Sequence, residues 1–268
     1  MSGLPLPGAG VVVTGAASGI GLGLATRFAA EGARVVVADR DADLLRTVAP
    51  PGTVVAVCDV GTREGVHELV ERAGDALGEV DLFCANAGVP TPGGVQAPDL
   101  ADDDAWQLTW DVNVMSHVWT AQALVPHWLR RGRGRLLVTA SAAGLLTMLG
   151  SAPYSVTKHA AVAFAEWLRA TYAHRGVVVQ ALCPQGVRTP LLEGSGSVGQ
   201  ALLAPAAIEV GDVVGTVLEA LGDDRFLVLP HPEVAGYVRH KADDPDGWLA
   251  AMNRLQQRVQ AAGTATDT

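Results

Sequence analysis

A tyrosine and a lysine stand four positions apart in the run Y-S-V-T-K at 154–158, and together they can do acid–base chemistry. The chain has 17 arginines but only two lysines, so Lys158 is one of few ammonium groups available. Residues i and i+4 share a helix face, and we expect Tyr154 and Lys158 to point into one cleft. A free phenol has a pKa near 10, and lowering it to about 7 requires roughly 4 kcal/mol in favour of the phenolate. A nearby positive charge supplies part of that energy.

A glycine-rich turn, T-G-A-A-S-G-I-G at 14–21, follows the first apolar run. Gly15, Gly19 and Gly21 allow a tight turn that opens a helix, whose free N–H groups and partial positive charge suit a pyrophosphate. The spacing is G-x-x-x-G-x-G rather than G-x-G-x-x-G. The prediction of a dinucleotide site therefore depends on the position of the turn between a strand and a helix.

The second apolar run ends at Asp39, which favours NAD over NADP. A carboxylate at this position can accept both ribose hydroxyls of an adenosine. It would also repel a 2′-phosphate by roughly 4 kcal/mol at a separation of about 4 Å. Arg40 follows immediately, and it is either a solvated residue at a helix start or a group able to hold a 2′-phosphate. We predict NAD as the cofactor.

Short apolar runs alternate with helical patterns along the chain, and these elements must position the groups above. Runs typical of strands buried on both faces lie at 10–14, 34–39, 53–58, 80–85, 135–140, 177–183 and 225–230. Helical patterns lie near 19–31, 41–48, 62–77, 102–131, 152–174 and 207–221. This alternation predicts a single α/β domain over residues 1–268, with a doubly wound parallel sheet flanked by helices.

Two segments fall outside this alternation. Residues 184–206 are rich in Gly, Ser and Pro and are too long for an ordinary connection, so we predict a substrate lid there. Residues 231–268 form a C-terminal extension with a helical pattern near 246–262. The apolar residues of the lid segment are Leu191, Leu192, Val198, Leu202 and Leu203.

The composition argues against several classes of function. The formal net charge is −9 and the pI is about 5.2, so the chain should repel nucleic acid. Because we find no leader-like start and no apolar run of about 18 residues, we expect a soluble cytoplasmic protein without membrane partners. Cys58, Cys84 and Cys183 lie in separate apolar runs and should be reduced core thiols. The seven histidines show no metal-ligand spacing, so we expect no metal site.

Taken together, T-G-A-A-S-G-I-G, N-A-G at 86–88 and Y-S-V-T-K resemble the motifs of a single-domain short-chain dehydrogenase/reductase. The resemblance covers about residues 8–230 and implies a Rossmann-type fold. The implied catalytic residues are Asn113, Ser141, Tyr154 and Lys158. The implied cofactor-binding residues are Gly15, Ser18, Gly19, Ile20, Gly21, Asp39, Arg40, Asp59, Val60, Asn86, Ala87, Gly88, Tyr154, Lys158, Pro184, Gly186, Val187 and Thr189.

The resemblance also implies a role for each member of the catalytic set. Tyr154 is the general base or acid, Ser141 binds the substrate oxygen, and Lys158 holds the nicotinamide ribose. Asn113 anchors a water that connects Lys158 to solvent. Each residue alone has an ordinary explanation, such as a surface pair, a turn or a helix position. All four occur together in the order and spacing of the family, with Ser141 13 positions before Tyr154, and this favours the catalytic interpretation.

The resemblance also bears on how subunits assemble and on which other functions the fold could have. The resemblance implies that two long helices pair between subunits, giving a homo-oligomer, either a dimer or a homotetramer. These helices carry Trp106, Trp110, Trp119, Trp128 and Trp167. Two other functions stay open, a non-catalytic NAD-binding sensor and a lyase or epimerase on the same fold. The intact catalytic set argues against the sensor.

One departure from the family pattern concerns the substrate side. The sequence reads P-Q-G-V-R-T at 184–189, where the family often has P-G-x-x-x-T. Gln185 replaces a glycine beside the nicotinamide, so we predict substrate contacts from Ser141, Tyr154 and Gln185, with an outward-facing Gln185 as the alternative. The run A-A-G-L-L-T-M-L-G after Ser141 and the lid leucines favour a small hydrophobic secondary alcohol or ketone, although core packing explains some of these leucines.

Overall fold

Seven parallel strands form one sheet in the computed structural model, which describes residues 3–91 and 101–264. The strands are β1 Gly10–Thr14, β2 Arg34–Asp39, β3 Val54–Val57, β4 Leu82–Ala85, β5 Gly134–Thr139, β6 Val177–Leu182 and β7 Leu227–Val228. Their order across the sheet is β3-β2-β1-β4-β5-β6-β7. Every neighbouring pair is parallel. The predicted doubly wound parallel sheet is therefore confirmed.

Helices flank the sheet on both faces. They are α1 Gly19–Ala30, α2 Ala42–Val48, α3 Arg63–Leu77, α4 Asp103–Trp110, α5 Ser116–Arg131, α6 Ala152–Tyr172, α7 Pro190–Glu193, α8 Gly196–Leu203, α9 Val210–Asp223, α10 Val234–Asp243 and α11 Pro245–Thr264. The helix predicted at 102–131 is interrupted by a π-helical turn, Asp111–Met115, which joins α4 to α5. None of the described helices has the length and apolarity needed to cross a bilayer.

Alternating strand side chains build two apolar cores, one on each face of the sheet. Val11 and Val13 of β1 are fully buried on the face covered by α1 and α9, where Phe28 is also fully buried. Val12 points to the opposite face, where Trp128 of α5 is enclosed and its indole N–H donates to Val80 O at 2.8 Å. Burial on both faces explains why these strands read as nearly continuous apolar runs.

The strand order creates a crevice at the carboxyl ends of β1 and β4. The chain leaves β1 on one side, through β2 to β3, and returns to β4 on the other side of β1. At such a reversal the connecting segments diverge, and a ligand can enter between them. The candidate residues follow the carboxyl ends of successive strands: Gly15 after β1, Asp39 at the end of β2, Asn86 after β4, Ser141 after β5 and Gln185 after β6.

Most of the predicted lid segment, 184–206, is helical rather than a continuous loop. Pro190 begins α7, where its fixed φ suits the first helical turn. After a short break α8 follows, and a 3₁₀ turn at Ala204–Ala206 ends the segment. These helices were not predicted because each is short and the segment is rich in Gly and Ser. The side chain of Val198, one of the predicted lid residues, lies outside the described part of the structure.

The ends of the elements differ from the prediction where tertiary pairing decides them. Within the run at 225–230 only Leu227–Val228 form a strand, β7, which pairs with β6 at one edge of the sheet. The helical pattern predicted at 246–262 lies within α11. The sequence did not predict α10, which precedes α11 and connects the last strand to it.

Candidate active site

Tyr154 and Lys158 lie one turn apart on α6, and both line a cavity at the carboxyl ends of the strands. The Lys158 side chain is 3% exposed, and its Nζ lies 5.7 Å from the centroid of the Tyr154 ring. The helix begins at Ala152, so Tyr154 occupies the first turn, next to the loop that carries Ser141. The phenol and the ammonium therefore share one site of low dielectric constant.

Burial raises the pKa of the Tyr154 phenol above its ordinary value of 10.0. A hydrogen bond with the Ser141 side chain acts in the opposite direction, and nearby Cys183 adds to the increase. A base that works at neutral pH needs a pKa below the ordinary value of a phenol. The protein by itself shifts the pKa of Tyr154 in the opposite direction. A tyrosine base in this site would therefore need further positive charge close to the phenol.

The Lys158 ammonium is held by one backbone carbonyl. Its Nζ donates to Thr139 O at 3.0 Å, at the end of β5. Burial lowers the pKa of Lys158 to about 8, with nearby Cys183 acting against this shift. The group still carries its charge for most of the time at neutral pH. An ammonium has three N–H donors, so two remain for further partners such as the hydroxyls of a ribose.

Asn113 is completely buried in the π-helical turn and holds neighbouring segments together. Its Oδ1 accepts from Val89 N at 2.9 Å, and its Nδ2 donates to Val89 O at 3.0 Å and to Thr157 Oγ1 at 3.2 Å. Both amide donors are used, so the side chain fixes the loop after β4 against α6. The predicted water anchor would have to use its remaining acceptor capacity or its backbone carbonyl. A π turn changes backbone pairing locally and often occurs at functional sites.

A chain of hydrogen bonds that was not predicted from the sequence connects the ends of β1, β4 and β5. Thr14 Oγ1 accepts from the N–H groups of Asn86 and Ala87, both at 3.0 Å. Asn86 Nδ2 donates to Thr14 O at 3.0 Å, and its Oδ1 accepts from Thr139 Oγ1 at 3.1 Å. This chain fixes Thr139, whose carbonyl in turn holds Lys158.

The glycine turn has the shape and the free donors that a pyrophosphate requires. Gly15 has φ of +65°, which favours glycine, and a Cβ on Gly21 would lie 2.1 Å from Gly15 O. Ser18 stands at the N-cap of α1 without a side-chain capping bond, and the first turn of this helix contains no acidic residue. The N–H groups of the first turn therefore remain available to an anion. The turn fits the diphosphate of a dinucleotide.

Asp39 is positioned by backbone groups on both of its oxygens. Oδ2 accepts from Ala17 N in the glycine turn at 3.1 Å, and Oδ1 accepts from Asp41 N at 3.1 Å. Each carboxylate oxygen has lone pairs left for hydroxyl donors. Arg40 is exposed beside it, and both residues line the cavity. Asp39 can therefore accept hydrogen bonds from a ribose bound in the cavity.

The cavity of about 490 Å³ contains nearly all of the predicted site residues in its wall. Of the residues predicted for catalysis, cofactor and substrate, only Gly21 and Asn113 are not part of the lining. Gly21 lies behind Gly15, and Asn113 lies beneath Gly88 and acts through its hydrogen bonds. The structure therefore brings the predicted residues into one place.

The end of the cavity beyond Tyr154 is largely apolar. Its wall includes Ala142, Leu146, Met148, Leu191, Leu192 and Leu203. Gln185 also lines this end, and its Oε1 is buried without a hydrogen-bond partner within the described residues. A buried acceptor without a partner is costly, so a donor that reached this oxygen after a small movement of the side chain would bind favourably. Ser141 Oγ accepts from Ala143 N at 3.1 Å and donates to Pro184 O at 3.5 Å.

A buried histidine lies near Lys158 and was not predicted from the sequence. His117 is 1% exposed, and burial lowers its pKa to about 3, with a further contribution from the positive charge of Lys158. Ser116 Oγ donates to Val112 O, so His117 Nδ1 is the donor in its 3.4 Å contact with that hydroxyl. Its Nε2 has no partner within the described residues. In the part of the chain that the structure describes, no three His, Cys, Asp or Glu side chains converge as metal ligands would.

A family model and individual relatives both match this chain over most of its length. Residues 9–197 match the family model described as short chain dehydrogenase. The chain is 41% identical over 246 residues to 1-deoxy-11-beta-hydroxypentalenate dehydrogenase of Streptomyces exfoliatus, with 87% of this chain and 86% of the relative covered. It is 39% identical over 250 residues to the protein of the same name from Streptomyces arenae, with 87% and 86% covered.

A solved structure of similar fold supports the same relationship. It is a short chain dehydrogenase/reductase from Burkholderia phymatum in complex with NAD. The TM-score is 0.81 at 27% sequence identity, and the alignment covers 91% of this chain and 96% of the other.

We predict that His117 makes the stability of the protein depend on acid. Because its folded pKa of about 3 lies below the ordinary 6.5, the unfolded chain binds more protons between these values. Stability should therefore fall as the pH drops below 6.5, by about 2 kcal/mol at pH 5 from this group alone. Urea unfolding of the wild type and of His117→Asn at pH 7 and pH 5 measures this loss.

The exposed His174 provides the matched control for this measurement. His174→Asn should keep the pH dependence of the wild type, whereas His117→Asn should reduce it. Equal loss of stability in the wild type and in His117→Asn between pH 7 and pH 5 would contradict the assignment.

Proposed function

This chain belongs to the short-chain dehydrogenase/reductase family of oxidoreductases, and from that premise we propose that it is an NAD-dependent dehydrogenase. The proposed reaction interconverts a hydrophobic secondary alcohol and its ketone, with Tyr154 as the general base or acid. The observation that carries the proposal is one cavity lined by a partly buried Tyr154, a buried Lys158 and Ser141 beside an apolar wall, with Asp39 among its remaining lining residues.

The cofactor is proposed from residues that fit its parts. The glycine turn would hold the diphosphate, Asp39 the adenosine ribose, and Lys158 the nicotinamide ribose. Asp59 and Val60 would lie by the adenine, and Pro184 with Thr189 would lie by the carboxamide. When bound, NAD supplies the acceptor for the hydride of the carbinol carbon.

The protein residues then have separate tasks in the proposed reaction. Tyr154 removes the hydroxyl proton of the alcohol at its phenolate oxygen and returns it in the reverse direction. Ser141 donates a hydrogen bond to the same substrate oxygen and stabilises the charge that develops there. Lys158 favours the phenolate through its positive charge. Asn113 holds the loop that follows β4 against α6, the helix that carries Tyr154 and Lys158.

The preference for NAD is supported by the local charge. The Asp39 carboxylate is fixed by two backbone donors, so it cannot easily turn away from a 2′-phosphate. Solved structures of similar fold include complexes with NAD and with NADPH, so the proposal rests on the local charge. Arg40 is exposed, and the ion pairs of the described residues do not include one between Arg40 and Asp39. The negative charge of Asp39 is therefore not neutralised by Arg40 and would repel a 2′-phosphate.

The substrate is proposed to be an apolar alcohol with at least one further polar group. The apolar lining beyond Tyr154 favours a hydrocarbon body. The Streptomyces relatives are named for a hydroxylated carboxylate, 1-deoxy-11-beta-hydroxypentalenate. We propose a substrate of that general kind, a hydroxylated and largely apolar small molecule, with Gln185 as its second polar contact.

A homo-oligomeric assembly, dimer or tetramer, is proposed together with this activity. Two of the five tryptophans considered above are exposed, with Trp110 of α4 at 38% and Trp167 of α6 at 54%. Leu108 of α4 is 40% exposed as well. Large apolar side chains on these helices support pairing between subunits. Trp128, in contrast, is fully buried within the subunit and takes no part in such an interface.

The proposed base is tested by Tyr154→Phe. The phenol carries the proton while its ring only packs, so kcat should fall by about 10²–10⁴-fold and NADH affinity should be nearly unchanged. Absorbance at 340 nm with NAD and a panel of secondary alcohols gives kcat, and NADH fluorescence gives affinity. Tyr237→Phe, at a residue that is 43% exposed, is the matched control and should keep wild-type activity. Retention of more than about a tenth of wild-type kcat by Tyr154→Phe would show that another group is the base.

The proposed cofactor choice is tested by Asp39→Ala. The wild type should favour NAD over NADP in kcat/KM, and the variant should reduce that preference by about tenfold or more through weaker NAD binding and relief of repulsion. Asp41→Ala is the control, because Asp41 caps α2 through Leu44 N and does not line the cavity. Equal use of both cofactors by the wild type would refute the assignment of Asp39.

The role of Gln185 is tested by two replacements. Gln185→Leu keeps much of the volume and removes the acceptor, whereas Gln185→Gly removes both. Each should cost about 1–3 kcal/mol in kcat/KM for the preferred substrate, and only the glycine variant should accept bulkier alcohols. NAD affinity should hardly change in either. An unchanged substrate profile in both variants would mean that Gln185 has a structural role only.

A further inference from the structure

A segment beyond the family-matched residues holds the two loops that form the substrate end of the cavity. The family model ends at residue 197, whereas this segment, residues 231–241, follows β7 and includes most of α10. We name it the C-terminal brace. One of its side chains, His231, contacts the loop after β6, and another, Lys241, contacts the loop after β5. Both loops line the cavity beside Ser141.

His231 fixes the position of Gln185 through the backbone. The imidazole is 2% exposed, and its Nδ1 accepts from Gln185 N at 3.2 Å. A backbone N–H can only donate, so Nδ1 is unprotonated and the proton of the neutral ring is on Nε2. The preceding residue, Pro184, accepts from Ala142 N at 2.8 Å. His231 therefore holds the residue next to the point where the loops after β5 and β6 meet.

Lys241 fixes the opposite wall. Its Nζ donates to Leu145 O at 2.9 Å and to Leu146 O at 3.0 Å. These carbonyls follow the 3₁₀ turn Ala142–Gly144, at a helix end where carbonyl groups lack intrahelical partners. A compact ammonium with three donors can join two consecutive carbonyls in this way. Lys241 is one of only two lysines in the chain, and it holds the loop that follows Ser141.

The wall that Lys241 holds is also fixed from α6. Ser155 Oγ accepts from Met148 N at 2.9 Å and donates to Met148 O at 3.0 Å. Leu146, Thr147 and Met148 line the cavity between these two attachments. The positions of Leu146 and Met148 therefore depend on one contact from α6, the catalytic helix, and on one from the brace.

We propose that His231 and Lys241 are positioning residues that determine substrate specificity, because they set the distance between the apolar wall at Leu146–Met148 and the amide of Gln185. The inference rests on the proposed function. A substrate suited to this arrangement has a rigid apolar body with a hydroxyl for Tyr154 and a second hydrogen-bond donor for Gln185 Oε1. Loss of either attachment loosens one wall and leaves the cofactor end intact.

The experiment compares matched variants at each position. Lys241→Met removes both hydrogen bonds at similar length, Lys241→Arg keeps charge and donors, and Arg239→Met removes an exposed charge from the same helix. His231→Leu removes the acceptor, and His231→Asn retains an acceptor oxygen near the position of Nδ1. Unfolding temperatures establish that each variant folds.

Two measurements are made on the full chain with NAD bound. Hydrogen–deuterium exchange should increase in residues 142–150 for Lys241→Met and in residues 184–189 for His231→Leu. In the alcohol panel, KM for the preferred substrate should rise about tenfold or more in both variants, with kcat changed much less and NADH affinity unchanged. His231→Asn and Lys241→Arg should restore most of the loss, and Arg239→Met should behave as the wild type.

The outcomes separate this inference from the proposed function. An active wild type whose KM is unchanged in both Lys241→Met and His231→Leu overturns the inference alone, whether or not exchange increases. A fall in kcat equal to the rise in KM overturns it as well, because that pattern indicates disruption of the catalytic residues. A wild type that oxidises no alcohol in the panel refutes the proposed function and the specificity claim with it.

Discussion

The burial of the Lys158 ammonium is the constraint on which the site depends. Removing a charged group from water costs several kcal/mol unless partners compensate for the lost hydration. Here the compensation comes from Thr139 O and the face of Tyr154, and the pKa of the lysine falls to about 8. Thr139 is itself fixed through Asn86 to Thr14, so the ends of three strands hold one carbonyl in place. The carboxyl ends of these strands thus hold the buried Lys158 ammonium in place.

The same burial has the opposite consequence for Tyr154. A neutral phenol is less costly to bury than a phenolate, so the folded protein favours the form that cannot act as a base. The hydrogen bond with Ser141 opposes this effect without reversing it. In the proposed reaction, the positive charge of a bound oxidised cofactor would favour the phenolate, and proton removal would depend on occupation of the dinucleotide end.

The sequence was sufficient where one local pattern determines the outcome. Continuous apolar runs identified the seven strands, helical spacing put Tyr154 and Lys158 on one face, and the end of β2 located Asp39. It was insufficient where distant segments meet. The hydrogen bonds of Thr14 with Asn86 link positions 72 residues apart, and those of Lys241 with Leu145 span 96. The π-helical turn at Asn113 was also not predicted, because a packing requirement rather than a residue type produces it.

The contacts of His231 and Lys241 also give the site an order of assembly during synthesis. A chain leaves the ribosome from its N-terminus, so the glycine turn, Asp39 and the catalytic helix emerge before residues 231–241. The glycine turn, Asp39 and α6 are therefore synthesised before the two side chains that hold the loops after β5 and β6. Under the proposed role of His231 and Lys241, the substrate wall would be the last part of the cavity to gain its attachments during synthesis.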